Sequence, residues 1–261
     1  MKIVICVKQV PSSEAKIHVG PDGRLATADL ETIVNPYDEY ALEEALRIKE
    51  AKGGETIAVT VGPEAAESAL RTCLNLGVDR AVIVKEASLL GGDMLGVAKI
   101  LAAAIRPMEP DMIWLGKLSI DEENSGVGPA LAEYLGLPHV AVVSKLDWID
   151  DGRVRVAREI EGAKEILDVV LPAVFTANKG LNEPRYASLR NIMTAKKKPI
   201  EAVDAASLGL DPAVVGAAGR KVAVTRLEPP APRAQGRVFQ GAPAEVVAQV
   251  VKLLREEAKV L

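Results

Sequence analysis

The residues best suited to chemistry lie in one stretch, "GKLSIDEENSGVGPALAEYLG", residues 116–136. It follows an apolar run, "DMIWL", and leads through Gly126, Val127 and Gly128 into a helix-type pattern with Pro129 in its first turn. A helix that begins on glycines presents free N–H groups, and its dipole favours negative charge, so the chemistry offered is anion binding, with phosphate as the natural ligand. The alternative, a glycine that only lets the helix start, stays open. Asn124 and Ser125 add polar atoms beside it, and Asp121, Glu122 and Glu123 suit ribose hydroxyls or solvent better than a phosphate. Neither a GxGxxG fingerprint nor a phosphate-loop lysine motif is present.

Other reactive groups are sparse. Cys6 and Cys73 fall in apolar segments and read as small core hydrophobes. His18 and His139 have no suggestive neighbours, two histidines and two cysteines give no metal-ligand spacing, and no Gly-x-Ser-x-Gly elbow occurs. The acidic pairs Glu43-Glu44 and Glu122-Glu123 read as helix-face and loop charges. We therefore expect no catalytic residues and no metal site. A net charge of −4 and 3% aromatic residues argue against nucleic-acid binding.

The elements that would position the glycine stretch alternate over the first 145 residues. "KIVICVK", "ETIAVTVG", "RAVIVKE", "DMIWLGK" and "HVAVVSKLDWI" read as strands. Between them, "NPYDEYALEEALRIKEA", "PEAAESALRTCLNLG", "DMLGVAKILAAAIRPM" and "GPALAEYLG" read as helices, the first with Asn35 as a cap and Pro36 in its first turn. This alternation predicts a Rossmann-like α/β domain with a mostly parallel sheet flanked by helices. Ligands of such sheets bind past the carboxyl ends of the strands, at the switch point. The rim should then draw on Cys6-Val7-Lys8, the "NPYDE" turn, "VTVGP" and the glycine stretch. After residue 145 antiparallel strands are expected, with a hairpin at Asp150-Asp151-Gly152. The opening "MKIVICVKQV" reads as a strand rather than a leader, no apolar run is long enough to span a bilayer, and a reduced, cytoplasmic compartment is expected.

Two segments fit no ordinary domain. "NEPRYASLRNIMTAKKKPIE", residues 182–201, is basic yet carries exposed-type apolar residues. The chain beyond is rich in Ala, Pro and Gly; "RLEPPAPRAQGRVFQGAP" reads as an extended linker and "AEVVAQVVKLLREEAKVL" as an amphipathic terminal helix. The expected division is an α/β nucleotide-binding domain over residues 1–200, including a recognition loop at 182–201, and an arm over 201–261. Such a helix needs a surface for its apolar face, on its own domain or on another chain.

Four segments, "VICVKQVP", "VNPYDEYALEEALRIKE", "GKLSIDEENSGVGPALAEYLG" and "LNEPRYASLRNIMTAKKKPIE", resemble the electron transfer flavoprotein β subunit family, and with their spacing extend the match over about residues 1–205. The resemblance implies an adenine-nucleotide-hydrolase-like α/β fold. It implies a heterodimer whose α subunit holds the redox-active FAD while the β subunit holds a structural AMP and wraps its arm on the α subunit. The AMP site would map onto Cys6, Asn35, Pro36, Tyr37, Asp38, Val61, Asp121, Glu122, Glu123, Asn124, Ser125, Gly126, Val127 and Gly128. The recognition segment would comprise Glu183, Pro184, Arg185, Tyr186, Leu189, Arg190, Ile192, Met193, Lys196 and Lys197, with Leu189 as the anchor that docks on acyl-CoA dehydrogenases of fatty acid β-oxidation. Electrons would pass through the FAD to a quinone oxidoreductase. The chain would be an electron carrier subunit rather than an enzyme.

The chain departs from the family pattern in places. Gly126 stands where many relatives carry Gln, many also carry a Thr at Asn124 or near it, and the neighbourhood of Ser13 stands where animal relatives place a flavin-side Tyr. A branch of the family bifurcates electrons with NADH and carries a second FAD in place of AMP; the tail resembles that branch, whereas "NEPRYASL" resembles the other.

Overall fold

The computed structural model describes residues 1–26, 30–232 and 235–261. Its central strands are β1 (Lys2–Cys6), β4 (Glu55–Val61), β5 (Arg80–Val84), β6 (Met112–Gly116) and β10 (Ala173–Ala177). They are near-continuous apolar runs because both faces are covered. In β1 the faces alternate: Ile3 and Ile5 join one core with Ala41, Leu42 and Leu70, while Val4 and Cys6 join the other with Ala98 and Leu131. The first core lies under α1 (Pro36–Lys52) and α2 (Glu67–Leu76), the second under α3 (Met94–Ile105) and α4 (Val127–Leu135). Gly77, at φ 117°, ends α2 in the left-handed conformation that glycine adopts without strain.

The main sheet has nine strands in the order β11-β5-β4-β1-β6-β10-β7-β8-β9, where β7 is His139–Asp150, β8 Arg153–Ile160, β9 Ala163–Val170 and β11 Ile200–Val203. A separate ribbon pairs β2 (Gln9–Pro11) with β3 (Thr32–Val34) just before α1. Strand β7 pairs parallel with β10 in its first half and antiparallel with β8 in its second. Val142, at φ 61°, marks the irregularity between them, and its amide donates to Thr176 Oγ1 at 3.0 Å. Strands β8 and β9 form the antiparallel extension expected after residue 145. Strands β10 and β11 return to parallel pairing, with β6 and β5 respectively. The sequence "AVFTA" is buried throughout, the signature of a central strand rather than of a half-exposed hairpin.

Residues 201–215, expected in the arm, pack against the α/β core. Strand β11 covers the β5 edge, and α6 (Ala205–Leu208) and α7 (Pro212–Val215) bury Ala205 and Val215 against Ile100 and Ala104 of α3. The reason is local: Asp204 and Asp211 cap two short turns whose few apolar residues close the end of the core. Beyond residue 219 the described residues form no helix or strand until α8 (Pro243–Glu256), which buries no residue. The linker expected there includes residues 233–234, which lie outside the described residues. No helix among the described residues is long and apolar enough to cross a membrane.

Candidate functional site

Strand β1 is followed outward on one side by β4 and β5; the chain then returns to place β6 on the other side of β1. That reversal opens a crevice over the carboxyl ends of β1 and β6, the position where α/β sheets bind ligands. A cleft lies there, with Cys6, Leu101 and Leu115 among its apolar lining, Asn35, Asp38 and Lys8 at one side, and residues 124–128 at the other.

Asn35 and Asp38 stitch the two strand ends together. The amide of Lys8 donates to Asp38 Oδ2 and that of Gly116 to Asp38 Oδ1, both at 2.8 Å. Asn35 does not cap α1 through its side chain. Its Nδ2 donates to the Leu118 carbonyl at 2.8 Å, and its Oδ1 accepts the Ile120 amide at 3.2 Å. Both side chains, expected to face a nucleotide, have their polar atoms engaged by the protein and shape the cleft rather than reach across it. Burial lifts the Asp38 carboxyl to about 7, opposed by donors from Lys8, Asn35 and Gly116. Gly116 is required at this point, because a Cβ would stand 2.6 Å from both Asp38 Oδ1 and Tyr37 Cβ.

The start of α4 is the segment expected to offer free amides to an anion. The Gly126 amide is taken by Asn124 Oδ1 at 3.1 Å, and Pro129 has none. Among the described residues no acceptor engages the Val127 or Gly128 amide, so these two remain free at the helix N-terminus. Ser125 at φ 53° followed by Gly126 at φ −100° is the left-right backbone alternation that turns successive N–H groups to one side. The missing Cβ atoms of the two glycines do different things. One at Gly126 would overlap Met94 Sδ, so a thioether fills the space that a side chain there would take. One at Gly128 would stand 2.5 Å from Thr176 Cγ2, so Gly128 lets α4 approach β10 closely.

Of the fourteen residues expected at the nucleotide, Cys6, Asn35, Asp38, Val61, Glu122, Asn124, Ser125, Gly126, Val127 and Gly128 line this cleft. Pro36, Tyr37, Asp121 and Glu123 lie outside its lining. Tyr37 packs on Gly116 and carries the Lys117 ammonium 5.0 Å above its ring. Asp121 and Glu122 pair with Lys8 Nζ at 2.9 and 3.1 Å, which relieves the repulsion that two carboxylates would impose on a phosphate nearby. The sequence reading missed one wall entirely: Gly92, Asp93, Met94 and Val97, at the start of α3. The signal was there in "GGDM", a capping aspartate after two glycines. Cys6 is held as a thiol by burial and the nearby Asp38, and burial pushes Cys73 up to about 12, so neither is a nucleophile.

The second feature is the segment at 182–201, which contains a short helix, α5 (Leu189–Ala195), capped by Ser188. It is clamped at both ends. Arg185 Nε lies 2.7 Å from Glu43 Oε2 on α1, and the same guanidinium pairs with Glu50. Asn182 Nδ2 reaches the Tyr40 carbonyl and Glu44. Beyond α5, Arg71 Nη1 donates to the carbonyls of Ala195 and Lys198 at 2.8 and 2.9 Å. Between the clamps Tyr186, Leu189 and Met193 are 98%, 81% and 71% exposed. Pro184 and Ile192 are half-buried, whereas Glu183, Arg190, Lys196 and Lys197 are exposed. The basic charge of the segment therefore loses Arg185 to Glu43 and Glu50, and Lys198 to the Val78 carbonyl at 2.7 Å. It keeps Arg190, Lys196 and Lys197, which pair with no carboxylate among the described residues.

Comparison with known proteins decides what this architecture belongs to. The electron transfer flavoprotein domain family matches residues 22–208. The chain is 40% identical over 262 residues to the electron transfer flavoprotein subunit beta of Bacillus subtilis, with all of both chains covered. The chain belongs to the electron transfer flavoprotein β subunit family. It is also similar to that subunit of Methylophilus methylotrophus, 36% identical with 98% of each chain covered. A third relative is the mitochondrial electron transfer flavoprotein subunit beta of Arabidopsis thaliana, 43% identical over 214 residues, covering 81% of this chain and 84% of that one. The Bacillus alignment runs through the tail, beyond the four segments that carried the resemblance. Electron transfer flavoprotein β subunits are electron carriers rather than enzymes with a catalytic constellation of their own.

Proposed function

We propose that this chain is the β subunit of a heterodimeric, cytoplasmic electron transfer flavoprotein. In this reading it accepts electrons from acyl-CoA dehydrogenases and passes them, through an FAD held mainly by the α subunit, towards a quinone oxidoreductase. The observation that carries the reading is Leu189, which stands 81% exposed on a segment that two arginine clamps hold in place. A rigidly presented apolar plug with Arg190, Lys196 and Lys197 around it suits a brief encounter in which charge steers and one anchor orients.

AMP suits the cleft. Its phosphate would meet the free amides of Val127 and Gly128, its purine the apolar lining that includes Leu101 and Leu115, and its ribose the mouth near Glu122. The FAD supplies the redox chemistry; this chain's residues hold a structural nucleotide, present the docking segment and send an arm to the α subunit.

The test is to denature the purified heterodimer and identify what is released. One FAD and one AMP per heterodimer is expected. Two FAD and no AMP would replace this reading with the bifurcating, NADH-linked one, and no flavin at all would leave only a nucleotide-binding module.

A further inference from the structure

The wall of the cleft formed by residues 92–94 is also the root of the tail. Asp93 caps α3: one carboxylate oxygen accepts the amides of Leu95 and Gly96, each at 3.1 Å. Its other oxygen turns away from the helix and accepts the amides of Lys221 at 2.6 Å and Val222 at 3.1 Å. Backbone packing reinforces the junction. A Cβ on Gly92 or Gly96 would overlap the Val215 carbonyl, so the chain around Val215 lies directly on the start of α3. On the inner side, Met94 Sδ fills the space in front of Gly126 at the start of α4. Residues 92–94 thus touch the anion-binding end of the cleft on one side and the tail on the other. Beyond Val222 the tail is exposed, and it next bonds the domain where the Leu227 amide meets the Gly23 carbonyl at 3.2 Å.

We propose that Asp93 is a positioning residue that couples occupancy of the cleft to the order of residues 215–227, and so to the direction in which the arm leaves the domain. The proposal rests on the reading of the cleft as an adenine-nucleotide site. A helix N-cap needs only one acceptor, and a serine would serve. The second oxygen of Asp93 is used by the tail alone. A ligand held at residues 126–128 fixes Met94 and the first turn of α3, and with them the oxygen that receives Lys221 and Val222. Ordering the tail root then loses less entropy when the wall is already fixed, and linkage makes the effect reciprocal: an ordered root strengthens ligand binding by the same factor.

The experiment is hydrogen exchange on the heterodimer, with AMP bound and with AMP stripped, read at residues 126–128 and at 217–227. AMP is expected to slow exchange at both, by about tenfold at Lys221 and Val222, a typical coupling between sites. Asp93→Ser keeps a capping oxygen but is too short to hold the tail. It should retain the AMP-dependent protection at 126–128 and lose it at 217–227. Lys221→Pro removes one donor from outside the cleft; it should do the same and lower AMP affinity by a similar factor. Tail protection by AMP that survives in both variants, or protection at 126–128 without any at 217–227 in the unsubstituted protein, overturns the coupling alone. No protection at 126–128 overturns the nucleotide reading and the coupling with it.

Discussion

Arg185 Nε sits 2.7 Å from Oε2 of Glu43, a carboxylate whose side chain is 8% exposed, so the arginine's charge is answered within the chain. Glu43 and Glu50, one α-helical repeat of seven apart on α1, present their carboxylates to the same guanidinium. Arg185→Met should leave Glu43 buried without its cation and release one end of the recognition segment. We expect a stability loss of about 1–3 kcal/mol by urea unfolding. We also expect slower electron uptake from an acyl-CoA dehydrogenase, by a factor that does not change with ionic strength. A loss largest at low salt would mark Arg185 as a steering charge instead.

Lys197→Ala should behave in the opposite way. Its ammonium has no carboxylate partner among the described residues, so its removal should leave stability unchanged and lower the uptake rate modestly, most at low salt. Stopped-flow rates across a salt series separate the two arginine and lysine roles.

The two glycines of the anion site should part company. Gly128→Val drives a side chain into Thr176 and should lift α4 off β10, lowering the thermal midpoint by the equivalent of about 1–3 kcal/mol, with nucleotide lost as a consequence. Gly126→Ala meets only the end of the flexible Met94 side chain. It should reduce bound nucleotide with little change in midpoint, and Met94→Ala in the same chain should restore it. Calorimetry combined with nucleotide release decides both.

His139 and Asp38 should tilt the pH dependence of stability in opposite directions. Burial, assisted by Arg158, lowers His139 to about 4 from an ordinary value near 6.5. The unfolded chain therefore binds a proton that the folded chain refuses, and stability falls as pH drops from about 6.5 to about 4. Asp38, lifted to about 7, holds its proton in the folded state where the unfolded carboxyl has lost it, so its contribution falls as pH rises from about 4 to about 7. His139→Gln should flatten the first limb by about 1–2 kcal/mol, allowing for the partial exposure of the ring. Asp38→Asn should flatten the second, although one of the Lys8 and Gly116 amides then loses its acceptor. Urea midpoints between pH 4 and pH 8 check both slopes.

Much of this molecule is legible in its sequence, and the illegible parts share a cause. Strands such as "KIVIC" and "DMIWL" show themselves because burial on both faces leaves no polar alternation. Gly126 and Gly128 could be read as glycines at a helix start, but not which way each missing Cβ points, and direction is what separates a Met94 seat from a β10 contact. Asp38 reads as an acid in a first helical turn; that its two oxygens join β1 to β6 depends on a crossover that brings residues 8 and 116 together. Arg185 looks like part of a basic rim until α1 is seen to present Glu43 and Glu50 beneath it. In each case residue type was visible, while the long-range partner that decides its role was not.

Leu189→Ala tests the central claim most directly. The measurement is the rate at which an acyl-CoA dehydrogenase reduces the FAD of the reconstituted heterodimer, with the thermal midpoint recorded on the same preparation. Truncating a leucine anchor that is exposed here and buried in a partner's pocket removes about 2–3 kcal/mol of docking energy. At 1.4 kcal/mol per tenfold this is a roughly 30- to 150-fold slower uptake. The flavin spectrum and the midpoint should be unchanged, because the side chain contributes little to the domain core. An unchanged rate, or a loss of rate matched by an equal loss of stability, would contradict the assignment of this segment as the docking surface.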